Sequence, residues 1–367
     1  MKILFVSHSY PPIWGGVENQ NFNLAENLKK FANVKIIANG KGKKYLPIFL
    51  PLTFLRMLFL MIWYDACVLG NGVLAPLGEG AKIFHRSKKF FCIVHGLDVT
   101  FANKKGILSK IYKNVNIVSL KRLNKLIMVG NATIEEAVKS GIRREQCVFI
   151  PNGINPDEFG EFHEREELKK VLAEDTDDKK IIFRLARFVP HKGTSWFISE
   201  VMPRLPENVI MVAAGARVGK KTAGDQDDFT VCERVVEEKK LQNRVRLIPF
   251  IPEEQKKILL NTADIVISPN IKVPGAMEGF GISVLEAAVC KRVVVASALE
   301  GLKDAVKDGE NGFLVESGNA DEWAQKIREL LADEDFREKF GEKAKKYTIE
   351  NYSWGKIAKK YLEVIEN

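Results

Sequence analysis

Short apolar runs rich in valine and isoleucine recur along the chain and alternate with longer stretches of helical periodicity. In the first half the runs are KILFVS, VKIIAN, DACVLG, KFFCIVHG, KLIMVG and CVFIPNG. In the second half they are KIIFRLAR, NVIMVAAG, RVRLIPF, DIVISPN, RVVVASA and GFLVES. Runs that stay apolar on successive residues fit strands buried on both faces, as in parallel sheets built from βαβ units. Twelve strands in one sheet would be unusual, so the runs predict two sheets of about six. A break falls at PNGINPDEFGEF, where Pro151, Gly153 and Pro156 interrupt the periodicity. After the last run come three helical patterns, at about 320–332, 334–348 and 353–366, with no strand between them. The expected fold is α/β, two Rossmann-like domains with a cleft between them. The expected spans are 1–155 for the first domain, 156–345 for the second and 346–367 for a terminal helix.

One stretch departs from this rhythm. Residues 45–63, YLPIFLPLTFLRMLFLMIW, carry one charge in nineteen positions and invite comparison with a membrane span. Pro47, Pro51 and Arg56, and the strand directly downstream, argue instead for a short apolar helix, packed in the core or partly exposed. Charge then changes the picture. The chain has 367 residues and a net charge of +9, but residues 1–150 hold 22 Lys/Arg against 8 Asp/Glu. Residues 151–367 hold 34 against 39. Between 27 and 125 the excess is sharper, 18 basic residues to 3 acids. Basic charge beside an apolar helix is how monotopic proteins meet anionic lipid, so a peripheral membrane contact is expected. Nucleic acid is not expected as a partner, because no aromatic residues interleave with the basic ones. The five cysteines, Cys67, Cys92, Cys147, Cys232 and Cys290, are scattered and never form a C-x-x-C pair. That favours reduced thiols and a cytoplasmic location. No signal peptide is evident in MKILFVSH.

In doubly wound sheets ligands gather beyond the C-terminal strand ends, and three such places carry chemistry. After the first strand, Gly15 and Gly16 precede a helix, where free N–H groups suit an anion. After KIIFRLA, the turn RFVPHKG offers Arg187 and Lys192, a guanidinium fork and a point charge that suit a diphosphate. The third place is MEGFGISVLEA, residues 277–287. Gly279 and Gly281 bare the backbone at a helix start, Glu278 precedes the helix and Glu286 lies about two turns in. At helical rise the two carboxylates are on the order of 12 Å apart. That approximates the span from sugar to ribose in an extended nucleotide sugar, with a carboxylate at each end accepting hydroxyl hydrogen bonds.

With GGVE, VHGLDV, IPNGIN, RFVPHKG and EGFGISVLEA in this order, the chain resembles the retaining glycosyltransferases of family 4, which have the GT-B fold and an E-x7-E signature. The resemblance covers nearly the whole chain. It implies two facing Rossmann-like domains, a nucleoside-diphosphate sugar held mainly by the second and an acceptor held mainly by the first. It also implies a last helix, around YSWGKIAKKYLEVI, that crosses back to the first domain. By this resemblance Arg187 and Lys192 hold the diphosphate and stabilise the departing nucleotide. Glu278 contacts the transferred sugar, and Glu286 the ribose. Gly279, Phe280 and Gly281 present backbone to sugar and phosphate, Gly15 and Gly16 close on the phosphates, and His95 lies beside the anomeric centre. Retention implies a front-face path without a covalent nucleophile.

Two departures stand out. Ala186 occupies a position where the family commonly has glycine, and GARVGKKTAGDQDD replaces a shorter Gly-Asp-Gly-Pro loop. The spellings DTD (Asp175, Asp177) and DQD (Asp225, Asp227) lie in hydrophilic loops, and neither a metal nor a cofactor is expected, the nucleotide sugar being a substrate. The acceptor is expected to be a glycan, lipid-linked or otherwise membrane-borne, reached from the cytoplasmic membrane face; a soluble acceptor is the alternative. Two other classes stay open, a GT-B sugar-nucleotide epimerase and a non-catalytic nucleotide-sugar-binding subunit. The joint presence of His95, Arg187, Lys192, Glu278 and Glu286 argues against the second.

Overall fold

The computed structural model describes every residue except Trp14, 104–105, 160–162 and 219–226. Each of the twelve apolar runs contains a strand. They are β1 (Lys2–Ser7), β2 (Asn33–Ala38), β3 (Ala66–Leu69), β4 (Lys89–Val94), β5 (Lys125–Met128) and β6 (Cys147–Phe149). The second half supplies β7 (Lys180–Leu185), β8 (Val209–Ala214), β9 (Val245–Ile248), β10 (Ile265–Ser268), β11 (Val293–Ser297) and β12 (Phe313–Val315). They form two six-stranded sheets, ordered β2-β1-β3-β4-β5-β6 and β12-β11-β10-β7-β8-β9, and neighbouring strands run parallel. Each order reverses once. The chain leaves β1 for β2 and returns to β3 on the other side of β1; it leaves β7 for β8 and β9 and returns to β10 on the other side of β7. Loops diverge at such reversals, which opens a crevice at the strand C-termini.

Two compact units contain these sheets. One comprises Met1–Gly153, Gly275–Phe280 and Tyr352–Asn367, the other Ile154–Pro274 and Gly281–Asn351. In the first unit the alternation of side chains along β1 sorts the core into two layers. Leu4 and Val6 join one cluster with Phe49, Met57, Ile117 and Leu120. Ile3 and Phe5 join the other with Leu24, Leu28, Trp354, Ile357 and Tyr361. The terminal helix Trp354–Glu366 thus covers the same sheet face as the helix Gly16–Leu28, and Gln20 Nε2 donates to Tyr361 Oη across 3.5 Å. The apolar stretch forms the helix Leu46–Leu60, which runs through Pro51 and buries Phe49, Thr53 and Met57 at every fourth position. No helix among the described residues is long and apolar enough to cross a membrane. All five cysteines are buried free thiols, and burial pushes Cys290 up to about 12.

Trp354 locks the terminal helix onto the chain just before it leaves the first unit. A Cβ built on Gly153 would lie 2.4 Å from the indole Cδ2, too close for either atom to stay in place. Gly153→Ala is therefore expected to cost about 1–3 kcal/mol, as overpacking does. Trp354→Ala should cost about 3–5 kcal/mol through the cavity it leaves. In the Trp354→Ala background the penalty of Gly153→Ala should largely vanish, and denaturant unfolding of the four proteins reads this coupling.

Candidate functional site

The crevice of the second sheet lies between β7 and β10. β7 ends at Leu185, and the following turn displays Arg187 to solvent. A second arginine shapes this turn. Arg184 sits inside β7 at 1% exposure, and its Nη1 and Nη2 donate to the carbonyls of Ala186 (2.6 Å) and Arg187 (3.1 Å). A buried guanidinium is tolerated only when its donors are satisfied; here they brace the backbone that presents the exposed one. Pro190–Lys192 then makes a short 3₁₀ turn that ends at Gly193 with φ +67°. A Cβ at Gly193 would fall 1.9 Å from the carbonyl oxygen of Pro269, in the loop after β10. Only glycine allows this approach, which places half-buried Lys192 beside the β10 loop. Ile271 N–H donates to His191 O at 3.1 Å and ties the two loops together.

From the β10 loop the chain reaches the helix Ile282–Val289. Gly281 precedes it at φ +97°, and a Cβ there would meet Leu302 Cδ2 at 2.7 Å. Among the described residues no side chain caps this helix, so the N–H groups of Ile282 and Ser283 at its start suit an anion. Because Gly281 is left-handed, the helix starts only at Ile282. Glu286 stands one turn in, not two, and the rise of a continuous helix does not describe the separation of Glu278 and Glu286. Glu286 is nearly buried, with Lys256 Nζ 3.8 Å from its Oε1. Burial raises its pKa, and Lys256 offsets this only in part. For Lys256, burial pulls downward, but Glu286 and Glu253 outweigh it and the amine is held above its ordinary value. The carboxylate is thus kept from full solvation, with Lys256 as its ion-pair partner among the described residues. Hydroxyl groups of a ligand would add hydrogen bonds to it.

The crevice of the first sheet lies between β1 and β3. Asn21 Nδ2 bridges the two strand ends, donating to Ser7 Oγ (2.9 Å) and Gly70 O (3.1 Å). Gly70 O also receives Nε2–H of His95 at 3.2 Å. His95 precedes the short helix Gly96–Thr100, and its ring accepts from the N–H of Asp98, while Asp98 Oδ2 accepts from His95 N–H at 2.8 Å and Gly72 N–H at 3.2 Å. One neutral tautomer satisfies both ring contacts. Burial lowers the His95 pKa, opposed by Asp98 and the Gly70 carbonyl. The same burial raises Asp98, opposed by His95 and the two N–H donors. His8, directly after β1, belongs to this group. Its Nδ1 is buried without a hydrogen-bond partner among the described residues, and its pKa is lowered by burial against the pull of Asp98 and Glu18. Glu18 accepts from Ser9 Oγ at 2.6 Å, and Gly15 caps the helix Gly16–Leu28 through its backbone alone.

The segment Gly275–Phe280 belongs to this same unit. A Cβ on Gly96 would meet Met277 Cε at 2.8 Å and Gly279 Cα at 3.5 Å, so half-buried Glu278 sits on a strand of chain pressed against the residue after His95. Phe280 is buried beside the Tyr352 ring, with centroids 6.0 Å apart. The structure therefore groups His95 with Glu278, Gly279 and Phe280 in one unit, and Arg187 with Lys192, Gly281 and Glu286 in the other. Sequence reasoning missed His8, Asp98, Arg184 and Lys256. An arginine inside an otherwise apolar strand was the visible signal for Arg184; Lys256 gave none. Of the acidic spellings, Asp175 and Asp177 both pair with Lys169. Asp227 caps a helix by accepting from Thr230 N–H and pairs with Arg217 at 2.9 Å. Asp225 and most of the loop that replaces Gly-Asp-Gly-Pro lie outside the described residues. Among the described residues no three histidine, cysteine, aspartate or glutamate side chains are placed to share a metal ion.

Known proteins resemble this chain in sequence and in fold. An uncharacterized glycosyltransferase of Methanocaldococcus jannaschii is 32% identical over 225 residues, 60% of this chain and 54% of that protein. The chain thus spans about half the length of that relative. The Campylobacter jejuni N,N'-diacetylbacillosaminyl-diphospho-undecaprenol alpha-1,3-N-acetylgalactosaminyltransferase is 26% identical over 302 residues, 80% of this chain and 73% of its own. Among solved structures, Anabaena HepE in complex with UDP superposes over the full length of both chains with a TM-score of 0.78 at 20% identity, a likeness of fold. The family model for glycosyl transferases group 1 matches residues 164–347, half of the chain, a span that includes Arg187, Lys192, Glu278 and Glu286. The chain belongs to the group 1 glycosyltransferases.

Proposed function

We propose that this protein is a retaining glycosyltransferase that moves a hexosyl group from a nucleoside-diphosphate sugar to a hydroxyl of a lipid-linked or otherwise membrane-borne glycan. The observation that carries the reading is the crevice of the second sheet. It combines an exposed guanidinium on a braced turn, Lys192, a helix start at Gly281 without a side-chain cap and a nearly buried carboxylate at Glu286. Anion donors beside a hydroxyl acceptor are what a nucleoside diphosphate needs. HepE is described with UDP and with UDP-glucose, and the Campylobacter relative's name specifies a diphospho-undecaprenol acceptor.

In this reading Arg187 and Lys192 neutralise the β-phosphate as the bond from the anomeric carbon to phosphate oxygen breaks. Stabilising charge that develops in the transition state is the largest expected contribution to rate. The acceptor oxygen bonds to the same face of that carbon, and its proton passes to the departing phosphate. The products are the glycoside, with anomeric configuration kept, and a nucleoside diphosphate; no metal or covalent nucleophile is invoked. Glu286 accepts the ribose hydroxyls. Glu278 and the backbone of Gly279, Phe280 and Gly281 receive the sugar hydroxyls, and the helix start at Gly15 and Gly16 gives the phosphates a second anion site. Neutral His95, held by Asp98 and Gly70, donates or orients near the anomeric centre without carrying charge there. The protein works in the cytoplasm, peripherally at the membrane.

Two outcomes test these assignments. At pH values above its raised pKa, ionised Glu286 costs the folded state stability, a cost relieved as pH falls through that pKa toward the ordinary 4.5. Glu286→Gln should therefore keep or raise the melting temperature of the free protein at neutral pH. The same variant should lose about tenfold to a hundredfold in affinity for its nucleotide, the value of hydrogen bonds to a charged group. A thermal-shift series over GDP, UDP, ADP and their sugars, with chelator present, reads both quantities. An unstable variant with normal affinity would assign Glu286 a structural role.

The second concerns His95. Its depressed pKa keeps it neutral below the ordinary 6.5, so the acid limb of kcat/KM should lie below that pH. Because Asp98 pulls the histidine upward, Asp98→Asn should move the limb lower still. A pH–rate profile of both proteins checks this, and an upward move would contradict it.

A further inference from the structure

One helical layer of the first unit is built inside out. Residues 107–122 form a continuous helical run: Ile107–Tyr112, one π turn at Lys113–Ile117, then Val118–Arg122. Its inward face includes Ser109, Asn116 and Ser119, all buried, beside Ile117 and Leu120. Its outward face presents Ile107 at 78% exposure, Leu108 at 74% and Ile111 at 55%, continuing to Val115 and Val118. A helix on a water-facing surface has the opposite pattern. The inward hydroxyls are used internally, Ser109 Oγ donating to Gly106 O at 2.9 Å and Ser119 Oγ to Glu79 Oε2 at 2.6 Å.

The helix Ala75–Phe84 packs against both this run and the helix Leu46–Leu60, which repeats the feature. Beyond its buried stripe it exposes Leu55 at 61% and Phe59 at 63%, and Trp63 follows at 50%. Both helices cover the same sheet face, since Phe49 and Met57 share one core cluster with Ile117 and Leu120. Of the twenty large hydrophobic residues exposed among the described residues, fifteen fall between 48 and 118; the second unit contributes only Phe250 and Phe336. Scattered exposed apolar residues need no explanation, but concentration on one layer marks an interaction surface.

Charge selects the partner. Residues 43–122 hold 13 Lys/Arg and 3 acids. Lys110 and Lys113 lie exposed between the outward Ile107, Ile111 and Val115, and Arg56 lies beside Leu55. The acids are engaged within the unit: Asp65 accepts Lys2 N–H at 2.8 Å, Glu79 pairs with Arg122, and Asp98 is buried under His95. A second copy docking face to face would set like charges against each other. A surface that is apolar in depth and anionic at its rim satisfies both features.

We infer that this layer, the outward faces of 46–63 and 107–118, is a docking surface for an anionic lipid bilayer, with isoleucine and leucine side chains entering the interface and the lysines on lipid phosphates. The inference deepens the reading of the acceptor as membrane-borne and rests on it for purpose; nucleotide binding does not depend on it. The test is co-sedimentation of the full chain with vesicles of phosphatidylglycerol or of phosphatidylcholine, at low and high salt. The wild type should partition onto phosphatidylglycerol and far less onto phosphatidylcholine. Ile107→Ser/Leu108→Ser/Ile111→Ser should reduce partitioning about tenfold or more, since each change removes a large apolar group from the interface. Lys110→Glu/Lys113→Glu should weaken it mainly at low salt. All these side chains are exposed, so melting temperature and nucleotide response should stay as in the wild type. Leu55→Ser/Phe59→Ser, on the other helix, gives a second readout should the triple variant fold poorly.

Absence of partitioning onto phosphatidylglycerol at low salt overturns the inference, as does equal partitioning of wild type and serine variants. So does a wild-type dimer that the serine changes dissolve, which would make the face a self-interface. Any of these with an intact nucleotide response leaves the donor reading in place; loss of nucleotide response with vesicle binding intact removes the donor reading alone.

Discussion

Parallel strands need crossover connections, and a sheet wound outward in both directions from its first strand leaves a gap where those connections part. That constraint positions the chemistry in both units. In the second, β7 and β10 are neighbours although residues 186–264 separate them in the chain, and their loops meet where a Gly193 side chain would strike Pro269 O. In the first, β1 and β3 are neighbours, and one side chain, Asn21, ties their ends at Gly70 O. His95 reaches that same oxygen from the end of β4. Reactive groups sit there because backbone donors and helix starts are free there.

Each crevice is maintained by polar groups that burial penalises. Arg184 is fully buried in a strand and gives its donors to two carbonyls of the turn that exposes Arg187. Asp98 is buried and accepts two backbone N–H groups so that His95 keeps one tautomer. Glu286 lies one turn into an apolar helix with Lys256 Nζ 3.8 Å away. A core built for stability alone would exclude such groups. Their presence at the strand ends, with burial opposing the charge on each carboxylate, is what a ligand-binding site requires.

The strands were legible because burial on both sheet faces makes a parallel strand apolar at successive positions, as in ACVL of β3 and VIMVAA of β8. The three terminal helices were legible for the same reason in another period. Other features turn on geometry that periodicity does not encode. EGFGISVLEA reads as a helix with an acid two turns in, yet the left-handed Gly281 delays the helix start. Lys256 meets Glu286 only through folding, thirty residues away. His8 is an ordinary histidine after a strand until β4 brings Asp98 and His95 beside it. The run 107–122 has clear helical periodicity, but periodicity does not say which stripe turns inward; there the packing overrode the usual rule.

The central claim is that the β7 and β10 crevice seats a nucleoside diphosphate. A crystal structure of the protein with the nucleotide that most raises its melting temperature tests this directly. The account predicts diphosphate oxygens within hydrogen-bond distance of Arg187 and of the backbone at Gly281 and Ile282, with ribose hydroxyls on Glu286. A nucleotide seated elsewhere, with Arg187 and Glu286 untouched, would contradict it.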